Sequence, residues 1–452
     1  VGNTRHLEPD TASGKTGETQ DKFVMLAPTD LTPHPENPRK HSKSQIRGIA
    51  KSIQRNGYTA PIIADKDKRI LAGHGRQEAA LLLGLSTIPV IIRDDLTEEQ
   101  GKAYMLADNK LTDRSTWDDL KVATILKELS LPNLELDLEA TGFETPEIDF
   151  RIQSLDRADA TDVADEFEIA AVPPTSMVGD VWRLGDHRIY CGTALDRASY
   201  SALFEGSQAA AVFTDPPYNV KINGNAAGHG KTSYREFAMA VGEMSDVEFT
   251  DFLITALSNA SSNLVPGALI YACMDWRHIE EILAAARAST LDLLNLCVWV
   301  KANGRLGSFY KSRHELVFVF KSGKVAHQNN IQLGRFGRNR TNVWHYSTIT
   351  TFGHNSTPAD TELHPTVKPL LLVSDAILDS TKRNDIVLDP FLGSGTTLLA
   401  AERTGRRCFG IELDPIYVDT AISRWQRMTG HKALSPFGEA FDFLKTKRSG
   451  AP

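Results

Sequence analysis

One stretch near the C-terminus constrains the fold of this chain most. Ile386-Val387-Leu388-Asp389-Pro390 is a short apolar run closed by an acid and a proline, and Phe391-Leu392-Gly393-Ser394-Gly395-Thr396-Thr397 follows it. The first reads as a buried strand and the second as a glycine turn opening a helix from Leu398 to Thr404. Glycine tolerates positive φ and lets a backbone approach a ligand closely, and Thr396 or Thr397 is expected to cap the helix. The next strand, Arg407-Cys408-Phe409-Gly410-Ile411, ends in Glu412. That acid lies about 20 residues past the first glycine, the offset at which a carboxylate grips ribose hydroxyls in a doubly wound sheet. The glycine pattern is not a full dinucleotide fingerprint, and no P-loop lysine follows. A nucleoside without pyrophosphate is therefore expected, rather than NAD or ATP.

A second chemical segment precedes the first by a long way. The apolar run Ala209 to Thr214 delivers Asp215-Pro216-Pro217-Tyr218 into a loop. The proline pair fixes φ and donates no N–H, so neighbouring carbonyls can face outward as acceptors. Asp215 adds an anionic acceptor and Tyr218 a π-face, which together suit a flat ring bearing an exocyclic amine, such as adenine or cytosine.

Three motifs, Asp215-Pro216-Pro217-Tyr218, His364-Pro365-Thr366-Val367-Lys368-Pro369 and Phe391-Leu392-Gly393-Ser394-Gly395, resemble signatures of S-adenosylmethionine-dependent DNA amino-methyltransferases. The amine motif precedes the cofactor motif, an order similar to the β class of that family. The resemblance covers roughly Met177 to the end. It implies an α/β fold, a Rossmann-like doubly wound methyltransferase sheet with circularly permuted motif order. It also implies transfer of a methyl group from S-adenosylmethionine to the amine of a base flipped out of double-stranded DNA. Asp215, Pro216, Pro217 and Tyr218 would then be catalytic. Phe391, Gly393, Ser394, Gly395, Thr396, Glu412, Asp215 and Lys368 would hold the cofactor, with Lys368 facing its carboxylate. Asp at the head of the amine motif favours N6 of adenine, since related N4-cytosine enzymes more often begin it with Ser. N4-cytosine methylation, RNA as substrate, and a DNA-binding regulator with an inactive methyltransferase half stay open as alternatives. Glu315 is read either as ordering the catalytic loop or as structural, and Asp389 as structural.

The net charge of −7 on 452 residues argues against a protein that coats DNA generally. Charge is uneven, however. Lys301, Arg305, Lys311, Arg313, Lys321, Lys324, Arg335, Arg338 and Arg340 face a single acid, Glu315, within 301–340. Phe309, Tyr310 and Phe336 are interleaved with them. The tract is either a solvated face or a surface that grips phosphates and reads bases. In the second reading Lys301, Arg305, Lys311, Arg313, Arg335, Arg338 and Arg340 contact DNA, within a target-recognition segment at 301–363. Cys191, Cys273, Cys297 and Cys408 are isolated, which suggests buried thiols in a reducing cytoplasm rather than zinc or disulfides. No run reaches the length of a membrane helix, so no membrane partner is expected.

Another domain precedes the methyltransferase-like part. Residues 1–22 are polar and expected to be a disordered tail. Over 23–113, Asn37-Pro38-Arg39 and Gly73-His74-Gly75-Arg76-Gln77 resemble the N-terminal domain of ParB-like partition proteins, a small α+β fold related to sulfiredoxin. The resemblance implies a phosphate site for a nucleoside triphosphate at Arg39, Gly73, His74, Gly75 and Arg76, where a helix N-terminus favours an anion. Gln77 stands where a second Arg is common, which speaks against hydrolysis; a DNA-docking scaffold without nucleotide turnover is the other reading. A helical connector is expected over 114–150, an acidic linker over 151–176 and the catalytic domain over 177–452. A homodimer is compatible with this organisation.

Overall fold

The computed structural model describes residues 22–112, 117–131, 134, 136–156, 169, 173–220, 242–305, 309–332, 340–346 and 368–448. The expected tail, save Lys22, most of the acidic linker, and His364 to Val367 lie outside these residues. The chain forms two compact units that meet in sequence at Glu144 and Thr145.

The first unit is built on a mixed sheet. Its strands are β1 (Lys22–Leu26), β2 (Thr32–Pro33), β3 (Ile62–Asp65), β4 (Arg69–Ala72) and β5 (Ile88–Arg93), in the order β1-β5-β3-β4-β2. Its longer helices are α1 (Lys43–Asn56), α2 (His74–Leu82), α3 (Glu98–Thr112) and α4 (Asp119–Leu129). Alternation along the strands buries Ile62, Ala64, Ile70, Ile88 and Val90 together. The Ser42 hydroxyl caps α1 by accepting from the Gln45 amide, and Ile46 and Ala50 of that helix pack on Ala79 of α2.

The second unit begins with α5 (Thr145–Asp156), a helix that crosses the expected boundary between connector and linker. Asp149 of α5 is buried and pairs with Arg406 at 2.7 Å and Arg383 at 3.0 Å, so residues 145–156 belong to this unit. There follow β6 (Val181–Leu184), β7 (His187–Cys191), α6 (Arg197–Phe204), β8 (Ala209–Thr214), α7 (Asp246–Ser261), β9 (Leu264–Met274) and α8 (Ile279–Ala288). The long hairpin of β10 (Leu291–Arg305) and β11 (Ser312–Ser322) comes next, then β12 (Val343–His345) and α9 (Leu370–Ser380). β13 (Ile386–Asp389), α10 (Thr396–Thr404), β14 (Arg407–Glu412), α11 (Pro415–Thr429) and α12 (Phe441–Arg448) complete it.

The strands form one sheet in the order β12-β10-β11-β9-β8-β13-β14-β7-β6. From β9 through β8, β13 and β14 to β7 every neighbouring pair is parallel, while β11 and β6 run antiparallel to their neighbours. Successive residues face opposite sides: Phe213, Tyr271 and Val317 pack under α9, α10 and α11, whereas Val212, Ile270 and Phe318 pack under α6, α7 and α8. Both faces are covered, which is why β8, β13 and β14 read as unbroken apolar runs. Among the described residues, no helix is long and apolar enough to cross a membrane, and all four cysteines are buried and unbridged.

Candidate active site

β8 and β13 lie side by side, with Ala211 opposite Val387 and Val212 opposite Leu388. β8 continues to β9 on one flank and β13 to β14 on the other, so their connections diverge and open a crevice beyond the strands' carboxyl ends. Asp215, Pro216, Pro217 and Tyr218 enter this crevice from β8, Phe391, Gly393 and Ser394 from the turn after β13, and Thr396 from the start of α10. Glu412 and Asp414 line it from β14, and Lys368 from the residue before Pro369. Two stretches remote in sequence thus share one pocket. Thr193 and Tyr417 also line it; the sequence carried no signal for Tyr417, and it left Thr193 without a role.

The glycine turn divides its work. Gly393 has φ +54°, and a Cβ built on it would meet no protein atom within 4 Å. Gly395 has φ +87°, and its Cβ would fall 2.7 Å from that of Ala421. Gly393 therefore leaves room for a ligand, whereas Gly395 brings the turn against α11. Gly395 is also the N-cap of α10, and no side chain caps that helix. The expected threonine cap is corrected here: Thr396 is already inside the helix, and the Thr397 hydroxyl donates to Asp389 at 2.6 Å. Glu412 accepts from the Gly393 amide at 2.7 Å and the Asp414 amide at 2.8 Å, so it holds the turn while facing the crevice. Burial pushes its carboxyl up to about 7. Asp389 is likewise pushed up to about 7 by burial.

Charge concentrates on the other wall. The Tyr218 hydroxyl donates toward Asp215 and lies 2.8 Å from Glu315. Lys368 contacts Asp215, stands 2.8 Å from Glu315 and 3.2 Å from the Tyr218 oxygen. Lys301 closes the cluster at 2.7 Å from Glu315. Two carboxylates and two ammonium groups balance, which makes their burial tolerable. Burial raises Asp215 above the ordinary carboxylate range, assisted by Glu315 and opposed by Lys368. Burial also acts to raise Glu315, but Lys368 and Lys301 overcome it and hold the group at about 2. Among the described residues, Asp215, Cys273 and Glu315 are grouped closely enough to hold a metal ion. The Lys368 ammonium sits against both of these carboxylates in the place a cation would take.

Residues 209–423 match the DNA methylase family of N6/N4 type, and residues 12–110 match the ParB N-terminal domain. The chain carries a DNA methylase domain behind a ParB N-terminal domain. It is 28% identical over 230 residues to the type II methyltransferase M.HinfI of Haemophilus influenzae, covering 47% of this chain and 62% of that relative's length. It is 25% identical over 254 residues to the type II methyltransferase M2.MboI of Moraxella bovis, covering 53% of this chain and 88% of the relative. The solved PvuII DNA methyltransferase (cytosine-N4-specific) is similar at 19% identity and a TM-score of 0.41, over 57% of this chain and 90% of that one.

The methylase domain uses its basic tract differently from the expected DNA surface. Lys301 turns inward onto Glu315 and over the Trp299 ring at 4.7 Å. Arg340 is half-buried against Asp375 and Asp379, each at 2.8 Å, with the Tyr346 hydroxyl at 2.7 Å. Both charges, expected to contact DNA, are thus paired within the fold. Lys311 and Arg313 are exposed at the β10–β11 end, as are Phe309 and Tyr310. Arg335 and Arg338 lie outside the described residues, as does the Arg305 side chain.

In the ParB-like unit Gly73, with φ +102°, caps α2. His74 is buried and accepts from the His34 amide at 3.2 Å; burial, with His41 and His34 nearby, lowers it to about 4. Gly75 packs against Ile49 and His41, and Arg76 folds back over Gly73. Arg39 donates to Asn109 of α3 at 2.9 Å. The Gln77 amide is committed to the carbonyls of Pro28 and Leu31, at 2.9 and 2.8 Å.

Proposed function

We propose that this protein transfers a methyl group from S-adenosylmethionine to the exocyclic N6 of an adenine flipped out of double-stranded DNA. One observation carries the reading: the amine-binding loop Asp215–Tyr218 and the glycine turn with Glu412 line a single crevice at the switch point of the sheet. The pocket fits the donor. The space beside Gly393 is open, and Glu412 offers a carboxylate, already held by two backbone amides, to ribose hydroxyls. Phe391, Ser394, Thr396 and Asp414 would complete that side. Lys368 is engaged with Asp215 and Glu315, so its proposed role moves from the donor's carboxylate to the amine-binding wall.

An aryl amine is a weak nucleophile because its lone pair is delocalised into the ring. Asp215 and a carbonyl from the proline pair accept its two hydrogens, which favours a pyramidal nitrogen with its lone pair aimed across the crevice. Tyr218, whose hydroxyl is pinned at its far end, presents its ring to stack on the extruded base and offset lost base stacking. Bound S-adenosylmethionine supplies a methyl carbon on a sulfonium, whose sulfur keeps the electron pair of the broken C–S bond. The nitrogen that gains the C–N bond sheds a proton, and Asp215 is the adjacent acceptor.

The ParB-like unit is proposed as a DNA-docking module. Its Gln77, tied to two backbone carbonyls, supports a role without nucleotide turnover. The test is incubation of the full chain with S-adenosylmethionine and, in parallel, duplex DNA or RNA, then nucleoside mass spectrometry. N6-methyladenine is expected. N4-methylcytosine would move the target base, methylation confined to RNA would overturn DNA as substrate, and no methylation of any nucleic acid would overturn the enzyme reading.

A further inference from the structure

Glu315 reaches the catalytic wall from β11, a strand with no part in the amine motif or the glycine turn. The Tyr218 phenol carries one proton, yet its oxygen lies within hydrogen-bond reach of Asp215 and of Glu315. A phenol can donate to one of them at a time. In the present arrangement both Asp215 oxygens are engaged, Oδ1 by the Tyr218 hydroxyl and Oδ2 by Lys368. An amine entering the crevice either shares one of those oxygens with its present donor or takes the oxygen over and releases that donor. Releasing it would strand a buried donor unless another acceptor stood ready, and stranding is costly in a dry site.

We propose that Glu315 is a positioning residue, the alternate acceptor that takes over the Tyr218 hydroxyl and draws on Lys368 when a substrate amine engages Asp215. The inference rests on the methyl-transfer reading above. Three donors converge on Glu315: Tyr218 and Lys368 from the pocket side, each at 2.8 Å, and Lys301 from the other, at 2.7 Å. Lys301 is itself seated over Trp299, so the acceptor is held in place before substrate arrives. A structural ion pair alone would need only Lys301; the reach to the hydroxyl and to Lys368 is what couples Glu315 to Asp215. Glu315 touches no substrate, and its effect passes through Tyr218 and Lys368. The proton inventory closes: the phenol keeps its proton and changes acceptor, and Asp215 gains the hydrogen bond of the amine.

The experiment measures steady-state methylation of duplex DNA, with its pH profile, for wild type, Glu315→Gln, Tyr218→Phe and the double variant. Glu315→Gln should lower kcat about 10- to 100-fold with KM for both substrates unchanged. Its acidic limb should move to lower pH, because the negative charge that raises Asp215 is gone. Tyr218→Phe should move the limb to higher pH, because the hydroxyl that lowers Asp215 is gone. Glu315→Gln should cost less in the Tyr218→Phe background than alone. Unchanged kcat in Glu315→Gln, limbs that stay in place, or strictly additive losses would overturn the role. Should Glu315→Gln fail to fold by circular dichroism, Glu315→Asp, which keeps the charge and shortens the reach to Tyr218, is measured instead, and an unchanged kcat there overturns the role. Wild-type protein that methylates no DNA is a separate result, which overturns the function and not this assignment alone.

Discussion

Gly393 and Gly395 occupy the same turn, both at positive φ, yet alanine at the two positions should break different things. For a non-glycine residue the left-handed region costs roughly 1–2 kcal/mol. Gly393→Ala incurs about that much and nothing more, because no protein atom lies within 4 Å of the new methyl. The methyl instead projects into space proposed for the donor, and S-adenosylmethionine affinity should fall by about 10-fold or more, as one badly placed contact in a packed site costs over 1.4 kcal/mol. Gly395→Ala adds an overlap with Ala421, whose Cβ and Cα would stand 2.7 and 3.1 Å away. Overpacking costs about 1–3 kcal/mol, for a total near 2–5 kcal/mol. Urea unfolding followed by the fluorescence of the methylase unit, with titration calorimetry of S-adenosylmethionine on each folded variant, separates the two. Equal destabilisation by both substitutions, or undiminished donor binding by Gly393→Ala, would refute the division of labour.

Other expectations follow from the same geometry. Ribose hydroxyls donate more strongly to an ionised Glu412 than to its protonated form, so with that carboxyl raised S-adenosylmethionine affinity should rise with pH through about 7 and level off above it. The same elevation means that the empty protein gains stability as pH falls from about 7 toward the ordinary carboxylate range, where folded and unfolded chains bind the proton alike. Glu412→Gln should weaken binding and flatten its pH dependence, which calorimetry between pH 5.5 and 8.5 checks; Asp389, raised to the same region, would leave the dependence in place were it the responsible group. Arg340→Met removes the ion-pair partner of Asp375 and Asp379 and should cost about 3–5 kcal/mol in urea unfolding. The salt dependence of DNA binding should stay unchanged in that variant. Lys311→Ala with Arg313→Ala should weaken DNA binding equally across sequences and reduce the slope of log K against log salt by about 2, measured by fluorescence anisotropy.

Much of the sheet was legible because burial on both faces writes continuous apolar runs into β8, β13 and β14. The pocket was legible in outline because strands carrying Asp215 and Gly393 at their carboxyl ends can only present them at one edge. What stayed hidden was partnership across long sequence separations. Lys301 and Arg340 look alike as members of a basic tract, and no local pattern tells that one meets Glu315 and the other Asp375 and Asp379. Glu315 stood out as the lone acid there, but its approach to Tyr218 depends on the register of β11 against β9 and β10. The cap of α10 was misread for a local reason: a glycine in the left-handed region ends the turn one residue before the threonines.

The most direct test of the central claim is single-turnover transfer of a labelled methyl group by Asp215→Ala, run beside calorimetric titration of S-adenosylmethionine. Transfer to duplex DNA should fall at least about 100-fold, the scale of losing one preorganised acceptor, while donor affinity stays within about 3-fold of wild type. Transfer by Asp215→Ala at a rate close to that of wild type would contradict the assignment of this pocket to amine methylation.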